Sequence, residues 1–407
     1  SASSAPSPLA VAQPTIAVLP FEVLGTGESD QIIAKGLVHD VMTRIARSRT
    51  MFVIARGTAF QFPSGEHDVR EVGVALGVRY VVQGAAQISG NKIRVSVGLA
   101  NTETGQEVGS WGYDKKLGDV LVIQDEIASL IVAAIESEVQ KQEMLRSTLM
   151  PSSNLDAWSA YHRGLSHMYR FRMKECDSAE IFFRRAIDLE PNVPRPYAGL
   201  SFVNYERAYL NLDNNRVNSL RHAFDYAHRA LEVDPRDPMG HWALSRAHVL
   251  AGDLEEARES VETAVDLNPS YATAQYFQGW VAMQLGDHAF CVERIDLAQR
   301  LSPYDPLIYG MQGVSAMSLA LLDRNGEALE RISKALAHPD MHYQAHAIGV
   351  AIFALIGERE LARLELQKVL AVNPDYDTKE FFSVYAFQDD DDVQRIARAV
   401  GETRRNS

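Results

Sequence analysis

Ala264-Val265-Asp266-Leu267-Asn268-Pro269 is one copy of a segment that recurs through the carboxy-terminal half of the chain. The other copies are Ala186-Ile187-Asp188-Leu189-Glu190-Pro191, Ala230-Leu231-Glu232-Val233-Asp234-Pro235, Ala298-Gln299-Arg300-Leu301-Ser302-Pro303 and Val369-Leu370-Ala371-Val372-Asn373-Pro374, with a degenerate version at Ala335-Leu336-Ala337-His338-Pro339. The prolines fall at 191, 235, 269, 303, 339 and 374, spaced by 44, 34, 34, 36 and 35 residues. Each proline ends a helix, because its nitrogen has no hydrogen to donate and it disfavours helix in the residue before it. Upstream of each, Gly-Asp or Gly-Glu pairs (Gly252-Asp253, Gly286-Asp287, Gly357-Glu358) mark a turn between two helices, where glycine takes the left-handed conformation without strain. Small residues (Gly252, Ala257 and Ala264; Gly279, Gly286 and Ala298; Gly357 and Ala362) sit where paired helices cross closely. Asn211-Leu212-Asp213-Asn214-Asn215 lengthens one loop and accounts for the long first interval.

A phased repeat of about 34 residues with this pattern resembles the tetratricopeptide repeat. The resemblance implies an all-α solenoid of about six hairpins over residues 152–377. Stacked neighbours would share a continuous core, and the first helix of each hairpin would line a concave groove. Residues 378–407 read as a capping helix and tail, with Asp389-Asp390-Asp391-Asp392 as a solvated helix start favoured by the helix dipole.

Residues 15–145 have a different rhythm. Thr15–Leu19 reads as a buried strand, Gln31–Arg47 as an amphipathic helix, Phe52–Ala55 as a strand and Val69–Leu76 as a short helix. Val78–Ile88 and Lys92–Leu99 form a hairpin across Ser89-Gly90-Asn91, the second arm alternating Ile93, Val95, Val97 and Leu99 with Lys92, Arg94, Ser96 and Gly98. Gln106–Tyr113 adds a strand and Leu117–Gln140 a long helix. The order predicts an α/β domain with a mixed sheet. Residues 1–14, rich in Ser, Ala and Pro, read as a flexible linker left where a longer protein was cut.

Ile16-Ala17-Val18-Leu19-Pro20-Phe21, Phe52-Val53-Ile54-Ala55-Arg56, Asp68-Val69-Arg70-Glu71, Leu76-Gly77-Val78-Arg79-Tyr80 and Gln124-Asp125-Glu126-Ile127 resemble the TolB-like amino-terminal domain. That resemblance implies a module downstream of an effector in bacterial signalling proteins, either a winged-helix transcriptional regulator or a class III adenylate cyclase. Leu155-Asp156-Ala157-Trp158-Ser159-Ala160-Tyr161-His162-Arg163-Gly164-Leu165 and His167-Met168-Tyr169-Arg170-Phe171 look most like the regulator branch.

Composition narrows the chemistry. Lys and Arg number 13 against 16 acidic residues in 1–150 and 27 against 37 in 151–407, so no basic stripe suits a phosphate backbone. No apolar run is long enough to span a bilayer. Cys176 and Cys291 form no metal or disulfide pattern and read as packing residues. Gly25-Thr26-Gly27 lacks the third glycine of a dinucleotide fingerprint, with Asp30 in its place. A small polar ligand at that strand–helix mouth stays open as an alternative. His338, His342 and His346 near Asp340 have helical spacing but no HExxH pattern, and read as groove or surface histidines. Arg56, Asp68, Arg70 and Arg79 read as structural ion-pairing residues.

The expectation is therefore a non-catalytic sensory or scaffolding region with no cofactor and no metal site. It would bind a protein or peptide through aromatic groove residues: Trp242 and Arg246 from the third repeat, Tyr276, Trp280 and Gln284 from the fourth, with Tyr205 and Tyr209 extending the strip. Filling of the inter-helix core is the competing role for Trp242 and Trp280. A cytoplasmic setting is favoured over a periplasmic one, homodimerisation is left open, and a small-molecule receptor is the rival class.

Overall fold

The structure, a computed structural model, describes residues 14–24, 28–48, 50–62, 65, 67–116, 120–339 and 341–405. Residues 1–13 of the expected linker, the Gly25-Thr26-Gly27 loop and Asp340 lie outside the described residues. The chain divides into two compact units, Ser1–Ser159 and Ala160–Ser407.

The first unit runs β1 (Thr15–Val18), β2 (Glu22–Val23), α1 (Glu28–Ser48), β3 (Phe52–Val53), α2 (Arg56–Ala59), α3 (Val69–Leu76), β4 (Tyr80–Ser89), β5 (Lys92–Asn101), β6 (Gln106–Lys116) and α4 (Val120–Leu149). Its sheet has the order β3-β1-β4-β5-β6, with β2 also on β4. Pairings of β1 with β3 and β4, and of β2 with β4, are parallel; β4–β5 and β5–β6 are antiparallel. The sheet is thus mixed, as the element order predicts.

Two short elements, β2 and α2, escape the periodicity. β1 and β2 are one path along β4 interrupted at Pro20, which has no N–H to continue the ladder; Leu19 donates to the Val82 carbonyl just before the break and Leu24 to the Ala86 carbonyl beyond it. The alternating residues of β5 point Ile93, Val95, Val97 and Leu99 into a core closed by Val38, Val41 and Ile45 of α1 and Ile127, Ile131 and Ile135 of α4. On the opposite face a smaller cluster joins Ala17, Leu19, Val72, Val78 and Val81. Helix α4 runs to Leu149, past the expected end at Gln140, and the added turns carry Glu143. It is buried, and its carboxylate accepts from Arg79 Nη1 at 2.9 Å, Tyr80 OH at 3.0 Å and Trp158 Nε1 at 2.8 Å. A buried carboxylate needs this many donors.

The second unit consists, among the described residues, of six helical hairpins: α5 (Ala157–Met168) with α6 (Met173–Leu189), α7 (Pro194–Tyr209) with α8 (Arg216–Val233), α9 (Pro238–Ala251) with α10 (Leu254–Leu267), α11 (Ala272–Gln284) with α12 (His288–Leu301), α13 (Ile308–Leu321) with α14 (Asn325–Leu336), and α15 (Tyr343–Leu355) with α16 (Arg359–Val372). Two more helices follow, α17 (Thr378–Val384) and α18 (Asp390–Arg405).

The glycine turns sit at φ 88°, 88° and 89° for Gly252, Gly286 and Gly357. In the fifth hairpin Asp323 takes that conformation at φ 57°, which a short polar side chain tolerates. Asp237 caps α9 by accepting from the amides of Met239 and Gly240, beside Pro238 in the first turn. Close crossings are set by glycine: a methyl group on Gly199 would lie 2.6 Å from the Phe183 ring, and one on Gly164 2.5 Å from it.

The first helices of the hairpins are buried on nearly all sides, α11 most of all, whereas the second helices bury only one stripe. A helix apolar all round must be covered all round. The second helices cover one side; the covering of the inner side defines the candidate site.

Candidate partner-binding site on the inner face of the repeats

The expected groove residues converge on a single region. Tyr205 and Tyr209 come from α7, Trp242 and Arg246 from α9, and Tyr276, Trp280 and Gln284 from α11, neighbouring first helices of successive hairpins. Their rings are in mutual contact: Tyr205 stacks on Tyr209 at 5.5 Å, Tyr209 meets Trp280 edge-on at 6.1 Å, and Tyr276 lies 5.8 Å from Trp280. Helical spacing carries them to one side, as the phase of the repeat dictates.

The region is not the open groove anticipated for these residues. Trp242 and Gln284 are fully buried, and Trp280, the most accessible of the set, is only 6% exposed. Two features close it. The array winds tightly enough that Phe171, in the turn of the first hairpin, lies 4.8 Å from the ring of His342 at the start of the sixth. Tyr209 and Tyr309 approach the same imidazole at 5.3 and 5.5 Å. Trp242 stacks on Phe202 at 5.3 Å, the core role named as its alternative.

The second feature is the segment between α17 and α18. The carboxy-terminal stretch was expected to cap the last hairpin; α18 does pack against α15 and α16, and the segment before it also turns inward. Tyr385 stacks on Trp280 with ring centres 6.0 Å apart and planes 15° apart, and shares a hydrogen bond with the Tyr209 hydroxyl at 3.1 Å. The amide of Ala386 donates to Gln284 Oε1, and that of Gln388 to the Gln284 carbonyl at 2.8 Å. Arg216 holds Ser383, and Arg395 donates to the Leu321 carbonyl at 2.8 Å and to Asp323. Asp389 caps α18 through the amides of Asp391 and Asp392. The acidic run is therefore a helix start, but not a wholly solvated one. Asp392 is buried and bonds His288 Nε2 at 2.8 Å, and desolvation raises its pKa above the usual carboxylate value. No local pattern reports this docking, since its partners lie roughly 100 residues away in sequence.

What remains is a cavity of about 40 Å³ lined chiefly by Tyr205, Tyr209, Arg246, Tyr276, Trp280 and Tyr385. The Arg246 guanidinium lies 3.9 Å from the centre of the Tyr205 ring and 4.1 Å from that of Phe202, with Trp242 and Phe277 at 5.0 and 5.1 Å. Cation–π attraction to several desolvated rings offsets part of the cost of burying this charge. Nearby Glu206 is fully buried and bonded by the Cys176 thiol at 3.2 Å; desolvation pushes its pKa well up. Burial likewise pushes the Cys291 thiol up to about 12, consistent with a packing residue. His342 is driven down to about 3 by desolvation and by the Arg246 charge, and is neutral at physiological pH.

The remaining sequence candidates do not gather into a site. His346 bonds Glu365 while His342 faces the rings, and among the described residues no cluster of three His, Cys, Asp or Glu side chains could hold a metal. Arg79 pairs with Glu143, Arg70 donates to the Thr104 carbonyl at 2.7 Å, Asp68 caps α3, and Arg56 stacks over Phe60. In the first unit a cavity of about 410 Å³ is lined by Pro20, Phe21, Glu22, Val23, Lys35 and Phe60 among others. Among the described residues no helix is long and apolar enough to cross a membrane.

Known proteins bear on this geometry. The chain is 27% identical over 255 residues to "Putative adenylate cyclase 3" of Rhizobium meliloti (strain 1021), an overlap of 63% of this chain and 43% of that protein. The chain thus spans less than half the length of this curated relative. PilF of Pseudomonas aeruginosa is similar in structure at a TM-score of 0.38 and 16% identity, covering 57% of this chain and 97% of its own. TolB from Acinetobacter baumannii reaches 0.24 and 18%, covering 31% and 28%. Structural likeness at these levels says nothing about what the chain does. The family model described as "Tetratricopeptide repeat" matches residues 218–264 and 243–306. That match makes residues 218–306 tetratricopeptide repeats, and the six phased hairpins make the second unit a tetratricopeptide-like helical solenoid.

Proposed function

We propose that the chain is the non-catalytic binding region of a bacterial signalling protein, and that its repeat array takes a protein or peptide partner on the inner face in exchange for the Tyr385 segment. The observation that carries this reading is the docking of Tyr385-Ala386-Phe387-Gln388. Its aromatic ring lies against Trp280, and its main-chain amides are satisfied by Gln284. An aromatic anchor in a pocket plus main-chain hydrogen bonds is how peptide ligands are generally held. Here the chain supplies its own.

In this reading residues 15–145 are a TolB-like module that relays the bound state to an effector joined upstream, with the repeats over 152–377 and the closing helices over 378–407. A winged-helix DNA-binding domain is the effector suggested by the Leu155–Phe171 stretch. A class III adenylate cyclase is the second reading, favoured by the name of the Rhizobium relative. The coding sequence upstream of Ser1 separates the two.

The binding claim is tested with a labelled peptide copying Phe381–Asp389. It is expected to bind the full chain carrying Tyr385→Ala and to be excluded from the unaltered chain. Adding Trp280→Ala and Tyr276→Ala should abolish the binding. Absence of binding to the Tyr385→Ala chain, or binding indifferent to the two further changes, refutes it.

A further inference from the structure

The cavity beneath Tyr385 contains an electrostatic imbalance that the partner reading does not use. Arg246 is 4% exposed, and a guanidinium keeps its charge at any physiological pH. Its Nε and Nη1 have no hydrogen-bond partner, and neither does the buried indole Nε1 of Trp280 on the same cavity wall. No Asp or Glu lines the cavity. One oxygen of the Glu206 carboxyl, one residue along α7 from Tyr205, accepts from the Cys176 thiol; the other has no hydrogen-bond partner, and the group lies within electrostatic reach of Arg246 without bonding to it. The aromatic faces around Arg246 answer its charge, and the Tyr205 hydroxyl meets part of the guanidinium, but Nε and Nη1 remain directional donors without acceptors.

We propose that this cavity is a carboxylate site, with the Arg246 guanidinium and the Trp280 indole N–H as its donors and Tyr385 as its cover. The volume agrees. A water-sized group needs about 10–15 Å³ on this measure, so 40 Å³ holds about three to four such groups, the size of acetate at most. The walls set the selectivity. Tyr205, Tyr209, Tyr276 and Tyr385 form an apolar ring surround in which a charge-assisted hydrogen bond is strengthened by low local dielectric. Neutral His342, also on the wall, adds no charge of its own and can offer a further N–H. A ligand no larger than acetate fits under Tyr385 in place. A carboxylate on a larger body, whether an aromatic acid or the end of a peptide, enters as Tyr385 leaves.

The test uses the full chain and two pairs of probes, sodium acetate against acetamide and sodium benzoate against benzamide, in a constant salt background. Tryptophan fluorescence and the thermal midpoint are the readouts. The acids are expected to give saturable changes and the amides none. Trp280→Phe keeps a ring but removes one donor and should weaken acetate several-fold. Arg246→Met should weaken it about tenfold to a hundredfold, the range for hydrogen bonds to a charged group. The Trp280→Phe arm stands even where Arg246→Met does not fold.

Equal responses to acid and amide, no saturable response to either acid, or undiminished acetate binding by Trp280→Phe overturns the proposal. The source of the carboxylate is read by a peptide copying Phe381–Gln388, made as free acid and as amide. Preference for the free acid over both acetate and the amidated peptide identifies a peptide terminus; acetate or benzoate binding alone identifies a small organic acid. The second result leaves the site standing while removing the peptide partner.

Discussion

Replacing Tyr385 by alanine should release the carboxy-terminal helices without unfolding the array. The side chain is 2% exposed, stacks on Trp280, packs at a tilt against Phe381, whose ring centre is 4.8 Å away, and satisfies the Tyr209 hydroxyl. Truncating a buried aromatic costs about 3–5 kcal/mol. The ring pairs contribute about 0.5–1.5 kcal/mol each within that sum. Leaving the Tyr209 hydroxyl without its partner adds to the loss. The damage is capped by the docking free energy of the segment, because once Thr378–Arg405 has detached, further loss of its contacts costs nothing more. Converted at 1.4 kcal/mol per factor of ten, the local opening constant rises by roughly two to three and a half orders of magnitude. Amide hydrogen exchange should record that rise across α17 and α18, with a smaller change at the inner ends of α7 and α11 and none in α10 or α14. Tyr385→Phe keeps the stacking and should cost only about 1 kcal/mol. An even acceleration across every hairpin would show that the segment is an integral part of one cooperative core, and exchange through its own opening would be refuted.

Gly199→Ala should destabilise the array by about 1–3 kcal/mol in urea denaturation, since the new methyl group would meet the Phe183 ring at 2.6 Å. Glu143→Ala should cost about 3 kcal/mol in the first unit, because it removes the acceptor of the buried Tyr80 hydroxyl and Trp158 indole and leaves Arg79 only the exposed Glu103 at 3.6 Å, detected as an earlier melting transition. His342 is held near 3 against 6.5 in an unfolded chain, so it binds fewer protons when folded; its contribution is complete above pH 6.5 and is lost as pH falls toward 3. Between pH 6.5 and 5 that amounts to about 2 kcal/mol, and His342→Phe should flatten this part of the stability curve.

The sequence by itself determined the elements that local periodicity dictates. The prolines at 191, 235, 269, 303, 339 and 374 each lie just beyond a second helix, and Gly252, Gly286 and Gly357 mark the turns, because helix termination is decided by backbone chemistry within a few residues. The alternation of β5 likewise announced one wet and one buried face. The same phase brought Tyr205, Tyr209, Arg246, Tyr276 and Trp280 to one cavity, with Gln284 against the Ala386 amide and Trp242 in the core beside Phe202. Whether that cavity is open was decided only by tertiary structure. Closure depends on Phe171 meeting His342 and on Tyr385 meeting Trp280, contacts between residues far apart in sequence whose distance is set by the small rotation accumulated from one hairpin to the next. The unpartnered Nε and Nη1 of Arg246 arise the same way: the sequence places an arginine on the inner helix face, and only the folded array removes the water that would otherwise have solvated it.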